Sequence, residues 1–167
     1  MRKRILVVGC PGSGKSTMAR AVAAKTGLPI VHLDQLFWRD NWTSISAGEF
    51  DVLLQTELSK DTWIIDGNFS RTLEMRLARA DTVLWLDYPL RTSLFGAMKR
   101  VFSNYGKVRP DMAPNCPERF NWPFVRSILT FRKRTGKKME SLLVPRPGLE
   151  IIRLRSRKQA RAFLDTL

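Results

Sequence analysis

The stretch Gly9-Cys10-Pro11-Gly12-Ser13-Gly14-Lys15-Ser16-Thr17 decides how this chain is expected to fold. A short apolar run that precedes it, Ile5-Leu6-Val7-Val8, is typical of a buried strand. The residues that follow, from Met18 to Lys25, predict a helix that Gly27 ends. A strand, a glycine-rich loop and a helix in this order form a cradle whose backbone N–H groups bind phosphate.

The fixed positions of the loop match G-x-x-x-x-G-K-[ST], the pattern of P-loop nucleotide-binding proteins. Glycine lets N–H groups approach the phosphates closely, and the helix N-terminus adds partial positive charge. We expect Lys15 to reach the β- and γ-phosphates of ATP and the Ser16 hydroxyl to ligate Mg²⁺. The residues predicted to bind the nucleotide are Gly9, Pro11, Gly12, Ser13, Gly14, Lys15, Ser16 and Thr17.

Length and charge limit the classes of protein that fit. A chain of 167 residues is most simply one domain. No apolar run reaches the length of a membrane span, and two cysteines form no disulfide framework, so we expect a cytoplasmic protein. The net charge of +14 is uneven, with +1 in residues 1–90 and +13 in residues 91–167. Such a field favours nucleotides, nucleic acid or a phosphorylated substrate as partners.

Short apolar runs alternate with amphipathic segments along the rest of the chain. Further strands are predicted at residues 29–34, 62–66, 81–87 and 148–154, and helices at 46–58, 70–80, 90–104, 124–134 and from Ser156 onward. This alternation predicts a three-layer α/β fold, in which helices cover both faces of a five-stranded parallel sheet. Asp34, Asp66 and Asp87 fall at or near strand ends, so we expect them beside the P-loop at one rim of the sheet.

A second group of residues, Asp66-Gly67-Asn68-Phe69-Ser70-Arg71, follows the third predicted strand. A carboxylate at this strand tip can order the water shell of Mg²⁺, and an arginine at a helix start can clamp a phosphate with two hydrogen bonds. The stretch resembles the Asp-Gly-Phe-Pro-Arg segment of the adenylate-kinase superfamily, with one residue inserted and no proline. The resemblance implies that Arg71 holds an acceptor phosphate.

A closer resemblance spans almost the full length of the chain. The segments that carry it are His32-Leu33-Asp34, Phe37-Trp38, Asp66-Gly67-Asn68, Leu86-Asp87-Tyr88-Pro89, Arg109-Pro110-Asp111 and Cys116-Pro117-Glu118-Arg119-Phe120. In these segments the chain resembles the adenylate-kinase-like family of DNA topology modulation proteins, and the resemblance implies a nucleoside-monophosphate-kinase-like fold with a mobile lid. We therefore expect a single P-loop kinase-like domain over residues 1–167, with an acceptor-side segment at about 35–60 and a basic lid at about 100–140.

Arginines of the lid are candidates for catalysis, because positive charge over a transferring phosphate stabilises the transition state. Arg100, at the expected hinge, and Arg126 are the strongest candidates, with Arg119 as an alternative to Arg126. For Arg100 and Arg126 a solvated helix face is an equally good interpretation. Asp34 is expected either to accept a proton from an acceptor hydroxyl or to order Mg²⁺-bound water, with helix capping or hydrogen bonding within a loop as the alternative.

These features together predict an ATP- and Mg²⁺-dependent phosphotransferase that acts on a small acceptor, with a nucleoside monophosphate as one candidate. The alternative is an ATP-binding P-loop protein that acts on DNA or DNA topology through its basic C-terminal half. The chain carries no zinc-finger spacing, basic zipper or clear helix-turn-helix motif. We expect no membrane partner, and either a monomer or a homodimer.

Overall fold

A computed structural model describes residues 2–167 of the chain. Within these residues lie seven strands, namely β1 (Arg4–Gly9), β2 (Ile30–His32), β3 (Trp38–Arg39), β4 (Thr43–Ser44), β5 (Trp63–Asp66), β6 (Thr82–Leu86) and β7 (Glu150–Leu154). Five of them form a wholly parallel sheet in the order β2-β5-β1-β6-β7, and β3 pairs with β4 in a small antiparallel ribbon. The strand that leads into the P-loop therefore lies at the centre of the main sheet.

Helices cover both faces of this sheet. They are α1 (Lys15–Thr26), α2 (Leu33–Phe37), α3 (Ala47–Leu58), α4 (Leu73–Leu77), α5 (Leu90–Asn104), α6 (Trp122–Phe131), α7 (Lys137–Leu142) and α8 (Arg157–Leu164). Successive residues of a strand face opposite sides, so Leu6 and Val8 pack with α3 and α4, while Ile5 and Val7 pack with α1 and α8. The predicted three-layer α/β fold is confirmed.

Local signals in the sequence explain several helix ends. Gly27 ends α1 in the left-handed conformation, and its N–H bonds to the carbonyl of Ala23. Ser46 and Glu49 form a reciprocal capping box at the start of α3. Ser156 accepts a hydrogen bond from the N–H of Gln159 at the start of α8.

Several element boundaries differ from the prediction, and three of them have a clear local cause. Strand β2 ends at His32, because its pairing with β5 stops where β5 itself ends at Asp66, and Asp34 lies in the first turn of α2. The helix expected from residue 70 begins at Leu73, because a turn precedes it in which the N–H of Thr72 bonds to the carbonyl of Phe69. A π-helical segment, Arg132–Gly136, joins α6 to α7, so the helix continues past the predicted end at residue 134.

Residues 105–121 contain no regular helix or strand, yet they pack firmly against residues 35–42. Met112, Ala113 and Cys116 are buried against Trp38 and Trp42. Hydrogen bonds join the two segments, among them Gln35 Nε2 to the carbonyl of Pro110 (2.6 Å), Asn115 Nδ2 to Asp40 Oδ2 (2.9 Å) and the N–H of Asn41 to the carbonyl of Asn115 (3.2 Å). We call residues 105–121 the docked loop.

Among residues 2–167, no helix has the length and apolar character needed to cross a bilayer.

Candidate active site

A cavity of about 760 Å³ opens at the C-terminal ends of β1, β2 and β5. The P-loop forms its floor, α5 lines one side, and the docked loop covers it. Parallel sheets bind ligands at this rim, and a volume of this size holds a nucleotide or another small molecule. The cavity is therefore the candidate active site.

The P-loop packs against α5 backbone to backbone. A Cβ atom on Gly12 would lie 2.2 Å from the carbonyl oxygen of Ser93, and one on Gly96 would lie 2.3 Å from the carbonyl oxygen of Gly12. Gly12 also has a φ of +82°, which a residue with a side chain rarely adopts. Glycine is thus required here both by the backbone conformation and by the neighbouring helix.

The loop is built to receive an anion. Helix α1 begins without a side-chain cap, so the N–H groups of its first turn remain open toward the cavity, and open space surrounds Gly14. The buried hydroxyl of Ser13 has no hydrogen-bond partner among the described residues. Lys15 Nζ bonds to the carbonyl of Cys10 (3.1 Å), and burial lowers its pKa below the ordinary value while Asp66 acts in the opposite direction. These residues fit the triphosphate of ATP.

Two carboxylates face Lys15 across the cavity. Asp66 is buried at the end of β5, and its Oδ1 lies 2.5 Å from His32 Nδ1. Burial and then the neighbouring Asp66 raise the pKa of Asp34, and Lys15 offsets part of that rise. A carboxylate with a raised pKa accepts a proton more readily, which suits Asp34 to act as a general base.

The loop after β5 is held from two sides. Asn68 Oδ1 accepts a hydrogen bond from the N–H of Gly9 (3.2 Å), which ties this loop to the P-loop. Arg76, which is fully buried, donates to the carbonyls of Gly67 (3.0 Å), Asn68 and Phe69 (3.0 Å). Asp66 is thereby fixed at the cavity wall.

Four charged side chains form a cluster where α5 meets the docked loop, and three of them, Arg100, Arg109 and Asp111, line the cavity. Arg100 Nε of α5 and Arg109 Nε of the docked loop lie 3.1 Å and 2.8 Å from Glu118 Oε2. Arg109 Nη1 also donates to Asp111 Oδ2 at 2.6 Å. Although burial opposes ionisation of Asp111, Arg109 and the Ser16 hydroxyl hold the pKa of this carboxyl below its usual value. The docked loop thus brings an acidic group beside the residue expected to ligate Mg²⁺.

The structure brings together most of the residues predicted from sequence. The predicted residues that line the cavity are Pro11, Gly12, Gly14, Lys15, Ser16, Thr17, Asp34, Asp66 and Arg100. Gly9 and Ser13 lie in the same loop without lining it. Asp87 lies outside the cavity, where it pairs with Arg153 (2.7 Å), because β6 lies on the other side of β1 from β5 and β2.

Two predicted arginines lie elsewhere. Arg71 does not line the cavity, since its guanidinium binds Asp51 of α3 through two hydrogen bonds of 2.8 Å and 2.7 Å. The same guanidinium also donates to the carbonyl of Ala47 (3.3 Å), so the side chain is directed toward the start of α3. Arg126 is exposed on α6, also outside the cavity.

The sequence did not single out Arg76, Asp111 or Glu118 as functional residues. Asp111 and Glu118 belong to segments that carry the family resemblance, and both are acidic residues near arginines in an otherwise basic segment, but neither signal assigns them a role. Arg76 gave no signal, because an arginine in a short amphipathic helix is usually solvated.

Comparisons with known proteins agree with this architecture. Residues 5–87 match a protein-family model described as the ATPase family associated with various cellular activities (AAA). No curated protein gave a significant sequence match. Solved structures do match, and they cover 99% of this chain.

Three of these structures are small-molecule kinases. They are shikimate kinase from Acinetobacter baumannii in complex with shikimate (15% identity, TM-score 0.64, 90% of that chain covered), shikimate kinase from Bacteroides thetaiotaomicron (14%, 0.58, 96%) and an unliganded sugar kinase from Janibacter sp. HTCC2649 (16%, 0.54, 92%). At such low identity the likeness establishes the fold, and it does not confirm the narrower resemblance to DNA topology modulation proteins. The chain has the three-layer fold of P-loop kinases.

Proposed function

We propose that this protein is an ATP-dependent phosphotransferase that moves the γ-phosphate of Mg²⁺–ATP to a small acceptor. One observation carries the proposal, namely that Lys15 and the uncapped start of α1 open on the same cavity as Asp34 and Arg100. Phosphoryl transfer needs a phosphate cradle, a group that accepts the proton and positive charge over the reacting phosphate. The likeness to shikimate and sugar kinases supports the same reaction class.

The P-loop and the residues around it would hold the nucleotide and its metal ion. The N–H groups of the P-loop hold the triphosphate, and Lys15 neutralises its β- and γ-phosphates. Ser16 and, through water, Asp66 would hold Mg²⁺, which supplies further neutralisation of phosphate charge. Most ligands of Mg²⁺ in such sites are water and phosphate oxygens, and among residues 2–167 no cluster of three or more acidic, histidine or cysteine side chains forms a separate metal cage.

Asp34 and Arg100 act at the acceptor. Asp34 accepts the proton of an acceptor hydroxyl, and Arg100 faces the transferring phosphate from α5. The docked loop excludes water from the reacting groups. The proposal gives no role to Arg71 or Arg126, which lie outside the cavity.

Two kinds of acceptor are candidates. The sequence predicts a nucleoside monophosphate as one candidate, whereas one of the matched structures contains shikimate. The DNA-binding alternative gains no support from the comparisons.

The nucleotide site can be tested with two lysines of the same helix. We expect Lys15→Ala to weaken the binding of Mg²⁺–ATP by about tenfold or more, because the buried ammonium that meets the β- and γ-phosphates is lost. Isothermal titration calorimetry measures the affinity, and ADP release in the presence of candidate acceptors measures turnover.

The matched control is Lys25→Ala, which removes an exposed lysine from the last turn of α1 and should leave the affinity unchanged. Equal binding of Mg²⁺–ATP by the two variants would contradict the proposed site.

A further inference from the structure

The cavity has two ends that differ in charge. Lys99 and Arg157 line the end beside Gly12 and Gly96, and neither forms an ion pair within residues 2–167. Asp34, Asp66 and Phe69 line the other end, next to the docked loop. Unpaired cations therefore face the region where a nucleotide would bind, whereas carboxylates face the region left for the acceptor.

The arginines at the acceptor end are already neutralised. The buried carboxylate of Glu118 forms ion pairs with both Arg100 and Arg109, and Arg109 forms a second ion pair with Asp111. Two guanidinium groups thus meet two carboxylates. The Nη1 group of Arg100 has no partner within residues 2–167, so it can still face the transferring phosphate.

Arg20 also lines the cavity, but its guanidinium is half-exposed and faces the carboxylate of Asp111 at 4.0 Å. Arg71, the arginine expected to clamp an acceptor phosphate, is held by Asp51 outside the cavity. A phosphate ester bound as acceptor would place two negative charges between the γ-phosphate of ATP and the carboxylates of Asp34 and Asp66. Like charges brought together in a desolvated site strongly disfavour binding.

The walls of the cavity near Phe69 suit an uncharged acceptor. Phe69 offers an apolar surface, and it is backed by Phe37 and Phe50 with ring centroids 5.1 Å and 4.9 Å away. Asp34 and Asp66 supply hydrogen-bond acceptors beside it. An apolar wall with a few convergent polar groups suits a hydroxylated ring or polyol.

On the basis of the proposed function, we propose that the acceptor is an uncharged hydroxyl compound, such as a sugar, polyol or nucleoside, and that Glu118 excludes phosphate-bearing acceptors by neutralising Arg100 and Arg109. In the transfer, the acceptor oxygen forms a bond to the γ-phosphorus while the bond from that phosphorus to the β,γ-bridging oxygen breaks. The bridging oxygen leaves on ADP with the electron pair, and Asp34 takes the hydroxyl proton. Glu118 touches neither substrate and acts through the two arginines.

The test uses pairs of ligands that differ only by a phosphate group, namely adenosine with AMP and ribose with ribose 5-phosphate. Each is titrated into protein saturated with Mg²⁺ and the non-hydrolysable analogue adenylyl imidodiphosphate. For the wild-type protein we expect the phosphate-bearing member to bind no more tightly than its neutral partner. In Glu118→Gln the affinity for the phosphate-bearing member should rise by about tenfold, because Arg100 and Arg109 become available.

The matched control is Glu118→Asp, which keeps the carboxylate and should keep the wild-type order of affinities. Thermal unfolding of both variants checks that the docked loop stays folded. Tighter binding of AMP or ribose 5-phosphate than of the neutral partner by the wild-type protein overturns the inference, and so does the absence of a gain in Glu118→Gln. A chain that fails to bind the ATP analogue in the first titration instead overturns the proposed function itself.

Discussion

Arg76 brings a guanidinium into the interior beneath the cavity, where it is fully buried and meets no carboxylate within residues 2–167. Its partners are backbone carbonyls of the loop after β5, and burial lowers its pKa to about 9. That loop includes Phe69, whose φ of +29° is unusual for a residue with a side chain. Arg76 therefore supports the conformation that places Asp66 and Asn68 at the site.

Replacement of this arginine should destabilise the fold. Arg76→Leu leaves several buried carbonyls without a donor, so we expect the free energy of unfolding to fall by about 3 kcal/mol. Arg79→Leu, at an exposed position just beyond α4, should change it by less than about 0.5 kcal/mol. Urea denaturation measures both, and equal losses would show that Arg76 has no special role.

At the scale of elements, the docked loop marks the limit of what the sequence could predict. The family resemblance predicted a basic lid at about residues 100–140, which include the docked loop. Its contacts with residues 35–42 join parts of the chain about 75 residues apart, such as Gln35 and Pro110, and no local pattern specifies such pairs. For the same reason the pairing of Arg109 with Asp111 and Glu118 emerged only from the structure.

Removal of the aromatic surface beneath this loop should release it. Met112 and Cys116 pack against Trp42, and the guanidinium of Arg119 lies 5.3 Å from the same ring. We expect Trp42→Ala to speed tryptic cleavage after Lys107 and after Arg119 by about tenfold, because the loop opens more often. Mass spectrometry of timed digests identifies the cleavage sites.

The matched control is Trp122→Ala, which removes a largely exposed tryptophan at the start of α6 and should leave these cleavage rates as they are. A similar acceleration in the two variants would mean that the docking contacts do not hold the loop.

At the scale of the whole molecule, the order of the strands explains which predicted residues meet. The P-loop motif and the alternation of elements predicted the parallel sheet and its binding rim, and both are present. The sequence could not give the order β2-β5-β1-β6-β7, which places Asp34 and Asp66 on one side of β1 and Asp87 on the other. Strand order depends on long-range packing, whereas periodicity reports only on each strand by itself.

The uneven charge of the molecule should govern how fast nucleotide arrives. Residues 91–167 carry a net charge of +13, and Lys99 and Arg157 of this half line the cavity. We expect the association rate of a fluorescent Mg²⁺–ATP analogue to fall by about threefold or more when salt rises from about 50 to 300 mM, because salt screens this field. Stopped-flow fluorescence measures the rate.

Two single substitutions distinguish the effect of a lysine in the cavity from that of a lysine elsewhere on the basic surface. Lys99→Gln should slow association at low salt, while Lys138→Gln, on the exposed side of α7, should have little effect. An association rate that does not depend on salt would argue against steering by the basic half.

The glycine contact between the P-loop and α5 has a mechanical consequence. Gly96 lies inside a helix, where alanine would favour the helical state by about 1 kcal/mol, yet a single added methyl group would collide with the carbonyl of Gly12. The same helix carries Arg100, one turn further along, toward the ion pairs of the docked loop. A small displacement of the P-loop on phosphate binding would therefore move α5, and with it Arg100, because no flexible side chain lies between the two backbones.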